Sequence, residues 1–144
     1  MTATSDPPAA PSPPSPDFRD DGWAVHYVKY YFVFYTRRRR PFFADAAANA
    51  RVEKLMRATA AGLACEITFL RAYPSVVVVH VEASPMLSPN VIATRLREDV
   101  AGPLKEEFES IRRTGAVFVR RYLVTTVPVA ETGGEAFEGR VSSQ

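Results

Sequence analysis

Apolar and polar positions alternate along this chain with two periods, and their order predicts a fold. From Val25 to Thr36 the run VHYVKYYFVFYT is dense in aromatic and β-branched residues and reads as a strand. Alternation puts Val28, Tyr30, Phe32 and Phe34 on one face and Tyr27, Lys29, Tyr31, Val33 and Tyr35 on the other. Asp45 is placed to cap a helix running to about Ala61 and stopping at Gly62, with Val52, Leu55, Met56, Thr59 and Leu63 as its buried stripe. Leu63 to Arg71 reads as a second strand, with Cys65, Ile67 and Phe69 alternating. A turn through Tyr73-Pro74-Ser75 leads to Val76–Val81, a β-branched run with the look of a buried central strand. Ser88 then serves as N-cap and Pro89 as first residue of a second helix, which buries Ile92, Leu96 and Val100 and ends near Gly102-Pro103. Leu104, Phe108 and Ile111 mark a short third helix, and Val117–Val127 a fourth strand. The order is βαββαβ, an α+β ferredoxin-like arrangement: an antiparallel four-stranded sheet with helices on one face.

The ends of the chain follow other rules. Residues 1–16 hold six of the twelve prolines and almost nothing apolar, so residues 1–22 are expected to be a disordered, Pro-rich tail. The folded domain is expected over 23–128, with 129–144 as a further tail. No apolar run approaches the ~20 residues of a membrane span, and no leader pattern is visible, so a cytoplasmic location is expected. The single Cys65 forms no internal disulfide and is expected to be structural. Charge is unevenly spread: residues 1–24 carry a net −3, residues 128–144 a net −2 and residues 25–127 a net +7. A basic middle between acidic ends points to a polyanionic partner.

Arg37-Arg38-Arg39-Arg40 at the end of the first strand is the densest basic feature. Four guanidinium groups in one loop face solvent or phosphate, since pairing them internally would cost too much. Arg120 and Arg121 add charge to the fourth strand. The tyrosine-rich face of the first strand, Tyr35 included, is either a stacking platform for bases or a sheet face covered by a helix or a second subunit. His80 and Glu82 share one face of the central strand and form a candidate His-x-Glu metal pair, while His26 is the only other imidazole.

Two segments resemble the single-tyrosine HUH transposases, the TnpA type of insertion-sequence 200-like elements. Tyr31 to Phe43 is similar to the pattern H-L-V-F-x-T-K-Y-R-R-x-x-F, with Val33, Phe34, Thr36, Arg39, Arg40 and Phe43 matching. Pro74 to Pro89 resembles P-D-H-x-H-L-L-V-x-x-x-P-x-L-S-P through Pro74, Val81, Pro85, Leu87, Ser88 and Pro89. A looser third segment, Val119 to Val127, is similar to W-S-x-G-Y-F-V-x-T-V-G, where Tyr122 matches a strand tyrosine. The resemblance implies the same ferredoxin-like fold, a dimer, and DNA contact through the basic loop.

It also implies an active site that this chain lacks. In the family two histidines at i and i+2 hold a divalent metal, and a late-helix tyrosine, in a tyrosine-x-x-x-glutamine pattern, attacks the phosphodiester. Here the histidine positions are Val76 and Val78, and valine has no lone pair to offer a metal. If Gln144 stands for the glutamine, Arg140 occupies the nucleophile's position, and no tyrosine occurs after Tyr122. Residues 129–144 would then be a remnant of the catalytic helix. The expectation is a catalytically inactive, transposase-derived protein without metal or cofactor. It would bind hairpin or single-stranded DNA, with RNA as an alternative, through Arg37, Arg38, Arg39, Arg40, Tyr35, Arg120 and Arg121. Two further readings stay open: a ferredoxin-like protein-interaction module, and an active nuclease using His80 and Glu82.

Overall fold

The computed structural model describes residues 17–128. A two-stranded hairpin, β1 (Arg19–Asp20) against β2 (Val25–His26), precedes the main sheet. The sheet consists of β3 (Val28–Tyr35), β4 (Glu66–Ala72), β5 (Val76–Ala83) and β6 (Leu123–Thr125), in the order β4-β5-β3-β6 with every pair antiparallel. Helices α1 (Ala46–Gly62), α2 (Pro89–Glu107) and α3 (Glu109–Arg112) complete the βαββαβ order expected from sequence.

One sheet face packs against the helices. Phe32, Phe34, Val77, Val79 and Val81 meet Val52 and Met56 of α1 and Ile92, Leu96, Val100 and Leu104 of α2 in a single buried cluster. The opposite face carries a smaller cluster of Val33, Tyr35, Val76, Val78 and Val119. In β3 the split is the one expected from alternation, and β5 alternates in the same way.

Several boundaries differ from the expectation, each for a local reason. Residues 17–22, placed in the tail, include β1; Asp21 Oδ1 accepts from the backbone N–H of Trp23 and Ala24, and Arg19 pairs with Glu66 and Glu82. Asp45 caps α1 as expected, accepting from Ala47 and Ala48, but the helix includes Gly62 and the left-handed residue is Ala64, at φ 55°. In β4 the register shifts between Ile67 and Phe69. The bulge turns Phe69 away from Ile67's side and onto the smaller cluster, breaking the predicted alternation. Helix α2 does not stop at Gly102-Pro103; it continues to Glu107 because Leu104 extends the Ile92–Leu96–Val100 stripe into the core. Burial of that leucine outweighs the lost N–H of Pro103.

The fourth strand is shorter than Val117–Val127 and starts late. Thr36 bridges Phe118, and Val119 N–H donates to Tyr35 O at 3.0 Å. Pairing resumes only at Val33 with Leu123. Phe34 and Tyr35 therefore face four residues, Val119 to Tyr122, and Arg120 and Arg121 form an excursion from the ladder. Both are exposed. The Arg97 guanidinium of α2 fills the gap, donating to Val119 O at 3.3 Å and Arg120 O at 2.7 Å.

Candidate nucleic-acid interface

The arginine run leaves β3 through an ordered turn. Thr36 Oγ1 donates to Arg40 O at 2.8 Å, and Arg37 N–H donates to Val117 O at 2.9 Å. Arg38 and Arg39 both sit in the left-handed region, at φ 55° and 54°. Two consecutive non-glycine residues there are strained, and such strain is found where a site requires it. The turn divides the four side chains. Arg39 folds back with its guanidinium carbon 4.0 Å from the Tyr35 ring centroid, whereas Arg37, Arg38 and Arg40 are exposed.

Arg37, Arg38 and Arg40 line a small cavity of about 160 Å³ together with Arg113 and Thr114. Among the described residues, none that lines it is acidic. Arg113 comes from the end of α3, where Glu109 accepts from it at 3.1 Å, and the left-handed Gly115 (φ 83°) turns the chain back toward β6. Sequence reasoning missed Arg113. The signal was available in the topology: first and fourth strands pair antiparallel, so the loop leaving one must adjoin the loop entering the other. Arg120 lies elsewhere, on a second groove beside Arg97 and Lys105. The basic residues thus form two separate groups.

Tyr35 does not present a stacking surface. Its side chain has no exposed area, and Arg39 covers its ring. Tyr31 is also buried, leaving Tyr27, at 38% exposed, as the open tyrosine of that face. The face is buried from Tyr31 to Tyr35 and open at Tyr27.

Val76 and Val78 are 8% and 0% exposed and pack with Val33, Tyr35 and Val119. Two residues on, the His80 ring lies between Tyr31 and Phe69, with centroids 4.5 and 4.9 Å away. Glu82 is engaged by Arg19 at 3.4 Å, so the candidate His-x-Glu pair has its carboxylate in an ion pair. His26 Nε2 is 3.5 Å from Asp21 Oδ2, whose carboxyl is held below its ordinary range by the backbone N–H groups of Trp23 and Ala24. Among the described residues no three His, Cys, Asp or Glu side chains converge as a metal group would require. Arg140 and Gln144 lie outside the described residues.

An antiparallel βαββαβ sheet with a rim of convergent arginines places this chain among ferredoxin-like α+β proteins bearing a basic edge. Residues 24–133 match the family described as IS200-like transposases, and the chain belongs to that family. Two solved structures share its fold. A protein of Deinococcus radiodurans R1 assigned as a transposase is 18% identical with a TM-score of 0.72, over 85% of this chain and 94% of that one. A REP-associated tyrosine transposase bound to a REP hairpin is 8% identical with a TM-score of 0.54, over 85% and 68%. No curated protein matches the chain. Among the described residues no helix is long and apolar enough to cross a membrane.

Proposed function

We propose that the protein is a family member that has lost strand cleavage and kept nucleic-acid binding, acting as a homodimer on hairpin or single-stranded DNA. The observation that carries this is the state of Val76 and Val78. Where the resemblance calls for two imidazoles reaching into a metal site, two valines pack into an apolar cluster with almost no exposed surface. Valine offers no lone pair, so the two positions supply no imidazole-type ligand to a metal. Binding is supported by the convergence of Arg37, Arg38, Arg40 and Arg113 from two separate elements on one anion-sized cavity. Guanidinium groups in that arrangement suit phosphate oxygens.

The test combines two assays on the full-length protein with labelled single-stranded and hairpin DNA. Incubation with Mg²⁺ or Mn²⁺ is expected to give neither cleavage nor a covalent adduct. Binding is expected to weaken steeply with salt, in proportion to the phosphates neutralised, and RNA of the same sequence serves as the comparison. A covalent 5′-phosphate adduct would overturn the loss of cleavage, and a flat salt response would overturn the binding mode. A second reading, a protein-interaction module, is favoured by the hairpin side chains Phe18, Trp23 and Val25, which are 64%, 91% and 68% exposed. Competition between a defined hairpin and bulk DNA separates the two: selective binding supports the first, equal competition the second.

A further inference from the structure

The cavity between the arginine turn and the end of α3 is small. At about 160 Å³ it lies below the roughly 300–1,000 Å³ of pockets that enclose a whole small ligand. It has room for a phosphoryl group and too little for a nucleoside. Arg37, Arg38 and Arg40 line one side, Arg113 and Thr114 the other. Arg37, Arg38 and Arg40 enter no ion pair among the described residues. Arg113 pairs with Glu109, but both side chains are well exposed, and such a contact adds little. Thr114 donates its hydroxyl proton to Ile111 O at 2.8 Å, so the side-chain donors lining the cavity are guanidinium groups.

The two walls are shaped by backbone before any ligand arrives. Arg37 N–H donates to Val117 O at 2.9 Å, joining the turn to the segment that follows Arg113. Thr36 N–H donates to Ser75 O and Phe43 N–H to Pro74 O, each at 3.0 Å, which fixes both ends of the turn to the β4–β5 connection. On the other wall Thr114 N–H donates to Ile111 O at 3.1 Å. The left-handed pair Arg38-Arg39 separates Arg39, which covers Tyr35, from the three arginines that line the cavity.

Charge and valence favour one kind of phosphate here. A phosphodiester inside a strand carries one negative charge, has two free oxygens and continues through two ester bonds. A phosphate monoester carries close to two charges at pH 7, has three free oxygens and continues through one. Each guanidinium brings five N–H donors, so four of them offer more than two oxygens can accept. Three oxygens with twice the charge suit them better. We propose that the cavity binds the terminal phosphate of a nucleic-acid strand in preference to an internal one. The proposal rests on nucleic-acid binding by the same arginines and names the strand end as their target.

The test uses the full-length protein and fluorescence anisotropy at fixed salt. One single-stranded oligonucleotide, labelled at an internal base, is offered with hydroxyl groups at both ends, with a 5′-phosphate or with a 3′-phosphate. A fourth form, one nucleotide longer, carries added charge as a diester. A phosphate at one end or the other is expected to tighten binding about tenfold, the worth of one further hydrogen bond to a charged group, and the added nucleotide to change it little. The two phosphorylated forms tell which end is read. Arg113→Gln is expected to remove most of the preference, weakening the phosphorylated form more than the hydroxyl-ended one. Equal affinity for all four forms, or as large a gain from the added nucleotide, overturns the proposal and leaves the nucleic-acid reading standing. Arg113→Gln that weakens every form by one factor, or none, puts the preference outside this cavity and overturns the proposal too. Absence of binding to any form at low salt overturns the nucleic-acid reading, and the proposal with it.

Discussion

Replacing Val78 by histidine restores one imidazole to a position where the family resemblance expects it, and the structure says what that will cost. Val78 has no exposed area and touches Val33, Tyr35, Val76 and Val119. A neutral imidazole brings one donor and one acceptor, and leaving each unpaired in an apolar cluster costs about 1–3 kcal/mol. Taking the lower end of each polar cost and adding about 1–3 kcal/mol for the strain of a larger ring in a packed site, Val78→His is expected to destabilise by about 3–5 kcal/mol, a large part of the ~5–15 kcal/mol typical of a domain. With a urea m-value of about 1.5 kcal/mol/M, the midpoint should fall by about 2–3 M. Val78→Thr, nearly isosteric and with one hydroxyl to satisfy, should lose less.

The pH dependence carries a sign. Burial disfavours the imidazolium, so the introduced group would bind fewer protons folded than unfolded. Stability relative to the parent should therefore fall further below about pH 6.5, by up to ~1.4 kcal/mol per pH unit, and level off above it. The substitution also sets an imidazole two residues from His80 on one strand face, the spacing that lets both reach one ion. Urea melts followed by far-ultraviolet circular dichroism, with and without millimolar Mn²⁺, decide the matter. A variant as stable as the parent, or one whose midpoint Mn²⁺ restores, would refute the claim that this face is closed to a metal.

Three further outcomes test other parts of the structure. Arg38→Gly removes a side chain from a left-handed residue at φ 55°; stability should stay level or rise by up to about 1 kcal/mol, while anisotropy shows weaker DNA binding. Gly102→Ala adds a methyl that meets nothing beyond its chain neighbours, but the ring of the next residue, Pro103, disfavours a Cβ in helical backbone, so thermal melts should show a gain below the ~0.5–1 kcal/mol of an ordinary helix-interior glycine. Burial pushes the Cys65 thiol up. Iodoacetamide near neutral pH should therefore label native protein far more slowly than urea-unfolded protein; equal rates would show the thiol to be open.

The order of elements, the helix-facing residues of β3 and the caps at Asp45 and Ser88 were all legible because each depends on local chemistry. What escaped was tertiary. Gly102-Pro103 carries the standard signature of a helix end, and only the core contact of Leu104 overrides it. The bulge at Ile67/Phe69 leaves no mark in composition. Val119–Tyr122 looks like continuous strand until Arg97, from a distant helix, takes two of its carbonyls. For the site, the arginine run was conspicuous, but its division was not. Arg39 turns inward onto Tyr35 while Arg113 arrives from α3, because backbone geometry and strand pairing sort side chains that a sequence shows as equivalent.

The departure of Arg120 and Arg121 from the ladder has an arithmetic consequence. Because the extra residues number two, inward and outward positions keep their phase across the gap: Val119 and Leu123 share one face, Phe118, Tyr122 and Val124 the other. A single insertion or deletion there would turn every later residue of the strand inside out. Two residues, and the charge they carry, can therefore be added or removed at this edge while the interior beneath keeps its phase.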